Sequence, residues 1–233
     1  AIMIKFHPTP DLIEQFVTGT LAPAESLMVS AHCDMCKYCQ ELVDEKTAEF
    51  AMDHLELENV VESYDPQFDL MLANITQQPA AEAPDVSLRK SSGMHAQSTS
   101  IELDGKTFEL PKTLHRLIQK KGNWSSLVGK LWQAPVDMGY DGVANFIYME
   151  KGGSVPEHTH RGSEMTLVIN GEFSDGMSEY DSGDFIYLNG EHTHAPASDA
   201  AEGCLVFSIV DQPLHFTSGI ARLLNPFSHL FFR

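Results

Sequence analysis

Two histidines and a glutamate within seven residues constrain this chain more than any other feature. His158, His160 and Glu164 are framed by Gly152 and Gly171, which gives the pattern Gly-x5-His-x-His-x3-Glu-x6-Gly. On a β-strand, residues two apart point to the same face, so both imidazoles can aim at one point. Imidazole and carboxylate ligands suit zinc, iron, manganese, nickel or copper and suit calcium poorly. The spacing therefore favours a metal site over surface histidines in a polar hairpin.

A fourth ligand is expected from a second segment of turn and strand, which begins at Gly183-Asp184 and ends at His194. The glycine-framed segment matches the first motif of the cupin superfamily at every fixed position. The second segment resembles the second motif, with Asn189 in place of the usual proline and Glu191 in place of a glycine. His192 and His194 are both candidates, and the spacing favours His194. The resemblance implies a small barrel of the jelly-roll type.

A second group of metal-binding residue types lies near the start of the chain. His32, Cys36 and Cys39 have the spacing His-x3-Cys-x2-Cys, and His7 lies upstream. Thiolate and imidazole are the ligands of structural zinc, whose sites are closed by four protein ligands. On a helix, Cys33 shares a face with the other two cysteines and is a competing ligand. Three of the four cysteines lie within seven residues, which favours zinc over buried thiols acting as small hydrophobic groups.

Taken together, the two groups resemble the ChrR type of zinc-binding anti-sigma factor. In that family, an N-terminal helical domain holds zinc and binds an extracytoplasmic-function sigma factor, and a C-terminal cupin holds a second metal. The resemblance covers nearly the whole chain in the same order. It implies a Zn²⁺ site in the helical domain, made by His7, His32, Cys36 and Cys39. It implies a second divalent metal in the cupin, with zinc as the first choice and iron, manganese or nickel as alternatives, bound by His158, His160, Glu164 and His194.

The chain divides into a helical part, a linker and a β-rich part. Apolar residues at helical spacing up to about Thr76, with breaks at Gly19 and Pro23, predict several helices. Short apolar runs such as Val143 to Met149 predict strands, with Asn170-Gly171 expected in one of the turns between them. We expect an α+β protein with a helical zinc-binding anti-sigma domain over 1–77, a linker rich in Pro, Ala, Ser and Gln over 78–97, and a cupin jelly-roll β-barrel over 98–233.

The composition limits the kinds of partner. There are 33 acidic residues against 15 basic ones, and the net charge of −18 argues against a nucleic-acid surface and favours a positively charged protein partner. Three of the four cysteines are clustered as ligands and do not make an oxidised disulfide framework. No secretory leader is recognisable, and the apolar stretches are too short and polar for a membrane span. We therefore expect a cytoplasmic protein without direct nucleic-acid or membrane contact.

The last N-terminal helix offers a candidate partner surface. Its apolar stripe at helical spacing, within a densely acidic region, is formed by Phe68, Met71, Leu72 and Ile75. A sigma factor carries basic surfaces for DNA phosphates, so an acidic module with an apolar stripe could cover such a surface. Charge alone favours a simpler interpretation, in which the acidic face is exposed to solvent and the apolar stripe packs into the protein's own core. The family resemblance favours the partner surface.

The resemblance implies a regulator and not an enzyme. Such a protein inhibits its sigma factor and releases it under oxidative stress such as singlet oxygen, with residues up to about Thr76 sufficient for binding. The cupin would sense or gate, and a small-molecule signal could bind there. The alternative is a metal-dependent, dioxygenase-like cupin enzyme with a zinc-binding helical interaction domain, because such a metal can leave positions open. Against it, the sequence assigns no base, substrate clamp or lid. A structural adaptor with two zinc ions is a third possibility.

Overall fold

The computed structural model describes residues 3–55, 66–77, 98–127, 130–139, 142–160, 162–190, 192–212 and 214–217. For His160 and residues 214–216, the structure describes the backbone and not the side chains. The predicted linker over 78–97 also lies outside the described residues.

Four α-helices lie in the described part of the N-terminal region: α1 (Pro10–Thr18), α2 (Pro23–Met35), α3 (Lys37–His54) and α4 (Pro66–Gln77). Helix α1 begins after Thr9, whose hydroxyl accepts a hydrogen bond from the amide of Leu12, and it ends at Gly19 in the left-handed conformation. The predicted helix starts at prolines and the stop at Gly19 agree with these boundaries. Within the described residues, none of the helices has the length and apolar character needed to cross a membrane.

Helix α2 is buried on two sides. One side packs with α1 and α3 around a small core that contains Ile13 and Val29. The other side contributes Met28 and Ala31 to the main hydrophobic core of the β-domain. The helix is therefore one of the structural contacts between the helical part and the barrel.

The β-rich part has a short 3₁₀ helix at Lys112–Lys120 and fourteen strands within the described residues. The strands are β1 (Ser100–Leu103), β2 (Lys106–Glu109), β3 (Ser125–Leu127), β4 (Leu131–Val136), β5 (Val143–Met149), β6 (Gly153–Ser154), β7 (His158–His160), β8 (Glu164–Ser174), β9 (Glu179–Asp181), β10 (Phe185–Leu188), β11 (Thr193–His194), β12 (Ala197–Ser198), β13 (Cys204–Val210) and β14 (Leu214–Phe216).

The largest sheet has the order β3-β4-β5-β13-β8-β12-β6, and β9 and β10 also pair with β8. A smaller sheet has the order β11-β7-β14, and β1 and β2 form a separate hairpin. Strand β8 changes partners along its length, pairing with β10 in its first half and with β9 in its second. One long strand therefore pairs with two different short strands, one along each half of its length.

The turn predicted at Asn170-Gly171 is wrong, because β8 continues through both residues. Gly171 has a φ of +82°, and a β-carbon there would overlap the carbonyl oxygen of Gly203. Two residues earlier, the pairing of β8 with β13 skips Ile169, because Leu205 pairs with Asn170 and Val206 pairs with Val168. The strand therefore contains a bulge close to the glycine, and the backbone continues without turning back.

Strand β13 is buried along its whole length and shows how the core is divided. Phe207 and Ile209 belong to the main core, which also contains Met28 of α2 and Leu114 of the 3₁₀ helix. Val206, which directly precedes Phe207 in sequence, belongs to a second cluster on the opposite face. The helices therefore cover the outside of the sheet, and its other face lines the interior of the barrel.

Candidate metal centres

The first candidate centre lies where α2 meets α3. His32 is in the last turn of α2, Cys36 is the single residue between the helices, and Cys39 is in the first turn of α3. His7 approaches from the segment before α1. The nearest donor atoms of these four residues all lie within 4.8 Å of one another. The structure thus brings together the four side chains that the sequence predicted for this site.

The donor atoms of this cluster are oriented towards a shared centre. The Nδ1 atom of His7 lies 3.5 Å from Sγ of Cys36 and 3.3 Å from Sγ of Cys39. His32 uses its Nδ1–H to donate to the carbonyl of Gly183 at 2.8 Å, and its buried Nε2 has no hydrogen-bond partner among the described residues. An unsatisfied buried nitrogen costs about 1–3 kcal/mol, which a bound metal would offset.

The protonation states of the cluster also fit a metal. Burial lowers the pKa of His32 to about 4, so its imidazole is neutral near pH 7 and can act as a ligand. Burial, with the neighbouring Cys36 adding to it, raises the pKa of Cys39 to about 12. Without a cation, the thiol of Cys39 therefore stays protonated. A bound divalent cation such as zinc would displace this proton, because a thiol that coordinates such a metal is deprotonated.

Cys33 does not join the cluster, although the sequence left it as a competing ligand. It is partly buried and packs against the small core of Ile13, Leu21 and Val29. Burial raises the pKa of its thiol to about 11. The break between α2 and α3 at Cys36 is the physical reason, because the three cysteines are not on one continuous helix and do not share one helical face.

The second candidate centre lies inside the barrel. His158 in β7 pairs with His194 in β11, and Glu164 begins β8. The Nε2 atoms of the two histidines are 2.9 Å apart, and Nε2 of His194 is 3.7 Å from Oε2 of Glu164. The backbone of His160 continues β7, but its side chain lies outside the described part of the chain. His192 instead contacts the side chain of Asn189 with its Nδ1, so the geometry favours His194 as the ligand.

Neighbouring groups fix the orientation of these ligands. His158 donates from Nδ1 to the carbonyl of Pro156 at 2.8 Å, which directs its Nε2 towards the cluster. Ser208 and Thr166 donate to Oε1 of Glu164 at 2.9 Å and 3.2 Å, while Oε2 of the same carboxylate faces His194. Such supporting hydrogen bonds are typical of metal sites, where they hold the coordinating side chains in place.

A cavity of about 60 Å³ adjoins the second cluster, enough for about four to six water molecules. Most of its lining is apolar and comes from the inner face of the sheet, including Leu131, Met149, Phe173, Ile186, Leu188 and Val206. The amide oxygens of Gln133 and Asn145 are buried there and have no hydrogen-bond partner in the part of the chain that the structure describes. Sequence reasoning missed these two residues. Their position as polar residues inside the otherwise apolar β4 and β5 was the available signal.

A further carboxylate lines the same cavity. Asp175 accepts hydrogen bonds from the amides of Met177 and Ser178 and from the hydroxyl of Tyr180. Burial alone would raise the pKa of Asp175, but these hydrogen bonds outweigh it and hold the pKa below its ordinary value. The group is therefore an anion near neutral pH, and it adds negative charge to a cavity that already contains Glu164.

The apolar stripe on α4 is exposed. Its four predicted contact residues have between 47% and 60% of their surface accessible, and they are Phe68, Met71, Leu72 and Ile75. Helix α4 has no buried residue within the part of the chain that the structure describes. Contiguous exposed apolar surface of this kind marks a contact site more often than a core face. The geometry agrees with a partner surface, which stays a prediction.

Comparison with known proteins confirms the resemblance to the ChrR type. Residues 115–212 match the family model described as the ChrR cupin-like domain. Over 96% of its length, the chain is 26% identical to the protein named Anti-sigma-E factor ChrR from Cereibacter sphaeroides, and the match covers 98% of that protein.

The fold is similar to that in the solved structure of Rhodobacter sphaeroides SigE in complex with the anti-sigma ChrR. The match covers 90% of this chain and 100% of the matched chain, with a TM-score of 0.63 and 23% sequence identity. At this identity, the likeness establishes the fold alone. The predicted α+β class, with helices followed by a cupin β-domain, is confirmed.

Proposed function

We propose that this protein is an anti-sigma factor that binds and inhibits an extracytoplasmic-function sigma factor. The observation that carries the proposal is the likeness to Anti-sigma-E factor ChrR over 96% of the chain. A relative of the same fold was solved in complex with the sigma factor SigE, which supports this class of partner. The protein acts by occupying the sigma factor and contacts neither DNA nor membrane.

Zinc in the first centre has a structural role. His7, His32, Cys36 and Cys39 would hold it, and the buried Nε2 of His32 supports that assignment. The three helices share only a small core around Ile13 and Val29. Metal ligation then supplies folding energy that this core lacks and fixes the module that meets the sigma factor.

The sigma factor contacts the exposed stripe of α4. Phe68, Met71, Leu72 and Ile75 provide the apolar area, as an amphipathic helix does in a hydrophobic groove. Acidic groups around it, such as Asp69, complement the basic surfaces of a DNA-binding partner and increase the association rate. The binding module extends over residues 1–77, followed by a linker over 78–97 and the cupin over 98–233.

The cupin centre senses or gates the response to oxidative stress such as singlet oxygen. His158, His160, Glu164 and His194 would hold its divalent metal, with zinc as the first choice and iron, manganese or nickel as alternatives. The adjoining cavity of about 60 Å³ could receive a small-molecule signal. A cytoplasmic location follows from the partner, because sigma factors work on cellular RNA polymerase.

The alternative is a metal-dependent cupin enzyme. The apolar cavity beside His158, Glu164 and His194 is the observation that favours it. An enzyme would need a substrate that enters the cavity and a group that moves a proton. Turnover of a quinol or flavonol by the iron(II)-loaded chain would support it.

The test is a pull-down of the tagged full chain from its native cell with metal analysis of the eluate. We expect one sigma factor per chain, two bound metal ions and inhibition of transcription from the promoter of that sigma factor. A chain with two metals that binds no sigma factor would contradict the proposal. Iron-dependent turnover without sigma binding would replace it with the enzyme.

A further inference from the structure

The segment that carries His7 is held by the cupin domain. The amides of Lys5 and Phe6 both donate to Oδ1 of Asp184, at 2.7 Å and 3.0 Å. The amide of Phe185 donates to the carbonyl of Phe6 at 3.0 Å. The backbone immediately before a ligand of the first centre is therefore tied to the start of β10.

Asp184 is suited to holding this segment because it is fully buried and both of its carboxylate oxygens accept hydrogen bonds. Its Oδ2 accepts from the amide of Asp181 at 2.8 Å, so the carboxylate joins its own turn to the N-terminal segment. Hydrogen bonds from backbone N–H groups to an ionised carboxylate are stronger than neutral ones. Losing them would leave the buried Oδ1 without a hydrogen-bond donor, which makes the contact hard to replace.

The same turn contacts a second ligand of the first centre. The carbonyl of Gly183 accepts the hydrogen bond from Nδ1 of His32 at 2.8 Å, and the ring of Phe185 packs edge-on against the imidazole. Gly183 has a φ of +93°, and a β-carbon there would overlap the side chain of Ile4. Two imidazole ligands are thus held by the cupin, while the two thiol ligands come from α3 and its N-cap.

We propose that residues 181–185 of the cupin form part of the first metal centre, with Gly183 and Asp184 as positioning residues for His32 and His7. The inference rests on the proposed zinc site and goes beyond it, because it makes zinc retention by the helical domain depend on the cupin. Pre-oriented ligands lose less freedom when they bind the ion. Without this support, the two imidazoles must be ordered by the metal itself, so zinc leaves more readily and the thiols become reactive.

The turn also gives the two centres a short physical connection. Strand β10 begins at Phe185, which touches His32, and ends at Leu188, which pairs with Glu164 of the second centre. The α-carbons of Phe185 and Leu188 are three residue rises apart along the strand, a span of about 10 Å.

The test is a chelator challenge of the zinc-loaded full chain, followed by N-ethylmaleimide and peptide-resolved mass spectrometry. Lys5→Pro removes the amide that donates to Asp184 and leaves the cupin sequence intact. Lys5→Ala is the matched control, because it keeps that amide and loses only the bond from Nζ to Glu179. Cys204, fully buried in β13, is an internal reference for the integrity of the barrel.

We expect Cys36 and Cys39 of Lys5→Pro to be alkylated about tenfold faster than in the control, the effect of losing one hydrogen bond to a charged group. Cys204 should stay protected in both. Asp184→Ala, which removes both amide contacts of the segment, should have a larger effect on the same two thiols.

Equal alkylation of the two thiols in Lys5→Pro and Lys5→Ala would overturn the inference. Loss of Cys204 protection in step with the other thiols would also overturn it, since general unfolding would then explain the result. If zinc does not protect Cys36 and Cys39 in the unaltered chain, the zinc site itself is wrong. That outcome is distinct, because it needs no variant.

Discussion

The two metal centres are built in opposite ways. The first draws its ligands from three places in the helical region and two of its supporting contacts from the cupin turn at Gly183 and Asp184. The described ligands of the second centre all come from the barrel itself, and so do the residues that hydrogen-bond to them, such as Ser208. A site inside one domain depends only on the fold of that domain, whereas a site at the contact of two domains also depends on how they meet. The first centre is therefore the one whose loss should change the partner surface.

The largest difference is expected from the thiols of the first centre. Cys36→Ser removes a ligand, and we expect loss of that zinc, unfolding of the helical part and at least about 100-fold weaker sigma binding, because structural zinc can supply roughly 10 kcal/mol of folding energy. Zinc per chain, circular dichroism and a binding titration measure these changes. Cys33→Ser should keep the metal. If Cys33→Ser loses zinc while His32→Ala keeps it, the ligand assignment is wrong.

Variants of the second centre should lose the response to oxidant and keep the inhibition of the sigma factor. We expect the double variant His158→Ala and His160→Ala to lose the cupin metal, since half of the proposed ligands are removed. Sigma binding should stay within about twofold, because most of the proposed contact lies on α4 and side-chain changes outside a contact usually cost little. A reporter driven by the sigma factor, with and without oxidant, should then show repression without induction. Normal induction in a metal-free double variant would remove the cupin metal from the response.

An intermediate loss of sigma binding is expected from changes in the exposed stripe of α4, which contains no metal ligand. Phe68→Ala should weaken sigma binding by roughly 30-fold, the effect of losing one buried aromatic anchor at an interface. The thermal midpoint of the free protein should not change, because the side chain is exposed before binding. Met177→Ala, at an exposed methionine of the cupin, is the control. Equal affinities for the two variants would place the sigma contact elsewhere.

A smaller effect is expected from the support of Glu164. Ser208→Ala removes the 2.9 Å hydrogen bond to Oε1 and should lower the metal affinity of the cupin by about tenfold. The first centre should keep its zinc. Ser198→Ala is a matched control, since Ser198 is equally buried but donates to the carbonyl of Glu172. Metal titration of the two variants decides the matter, and identical affinities would mean that Glu164 needs no such support.

The smallest effect should be a pH dependence at Asp175. The folded-state pKa of this carboxyl is lowered, so the unfolded chain binds its proton more readily and the stabilisation is present above the unfolded pKa. It is lost as the pH falls through the folded pKa. Asp175→Asn should therefore destabilise the protein near pH 7, and the difference should shrink below about pH 4. Urea unfolding at several pH values measures it. A difference that grows in acid would contradict the assigned direction.

Local features were predictable from the sequence where the physics is local. Proline at the first turn and glycine at the end defined α1, and the apolar run from Val143 to Met149 corresponds to β5. In the first cluster, spacing and residue type indicated a zinc site at His32, Cys36 and Cys39 but left Cys33 as a competing ligand. The family resemblance supplied the set of four with His7, and the structure brings these four side chains together.

Long-range features were not predictable in the same way. Strands β7 and β11 have three and two residues, too short for an apolar pattern to emerge. Asn170-Gly171 looks like a turn in sequence, but the close approach that excludes a side chain at Gly171 comes from the carbonyl of Gly203 on another segment. The bond from Lys5 to Asp184 joins positions 179 residues apart, and nothing near either residue indicates the other. Such contacts are set by the assembled fold.

The hydrogen bond between Lys5 and Asp184 also has a consequence in time. A ribosome produces Lys5 179 residues before it produces Asp184. At typical rates of about 5–20 residues per second, roughly 10–35 s pass between the two. During that interval the emerging helices have their thiols but lack the turn that orients His32. The first centre therefore gains its support from the cupin only after this delay.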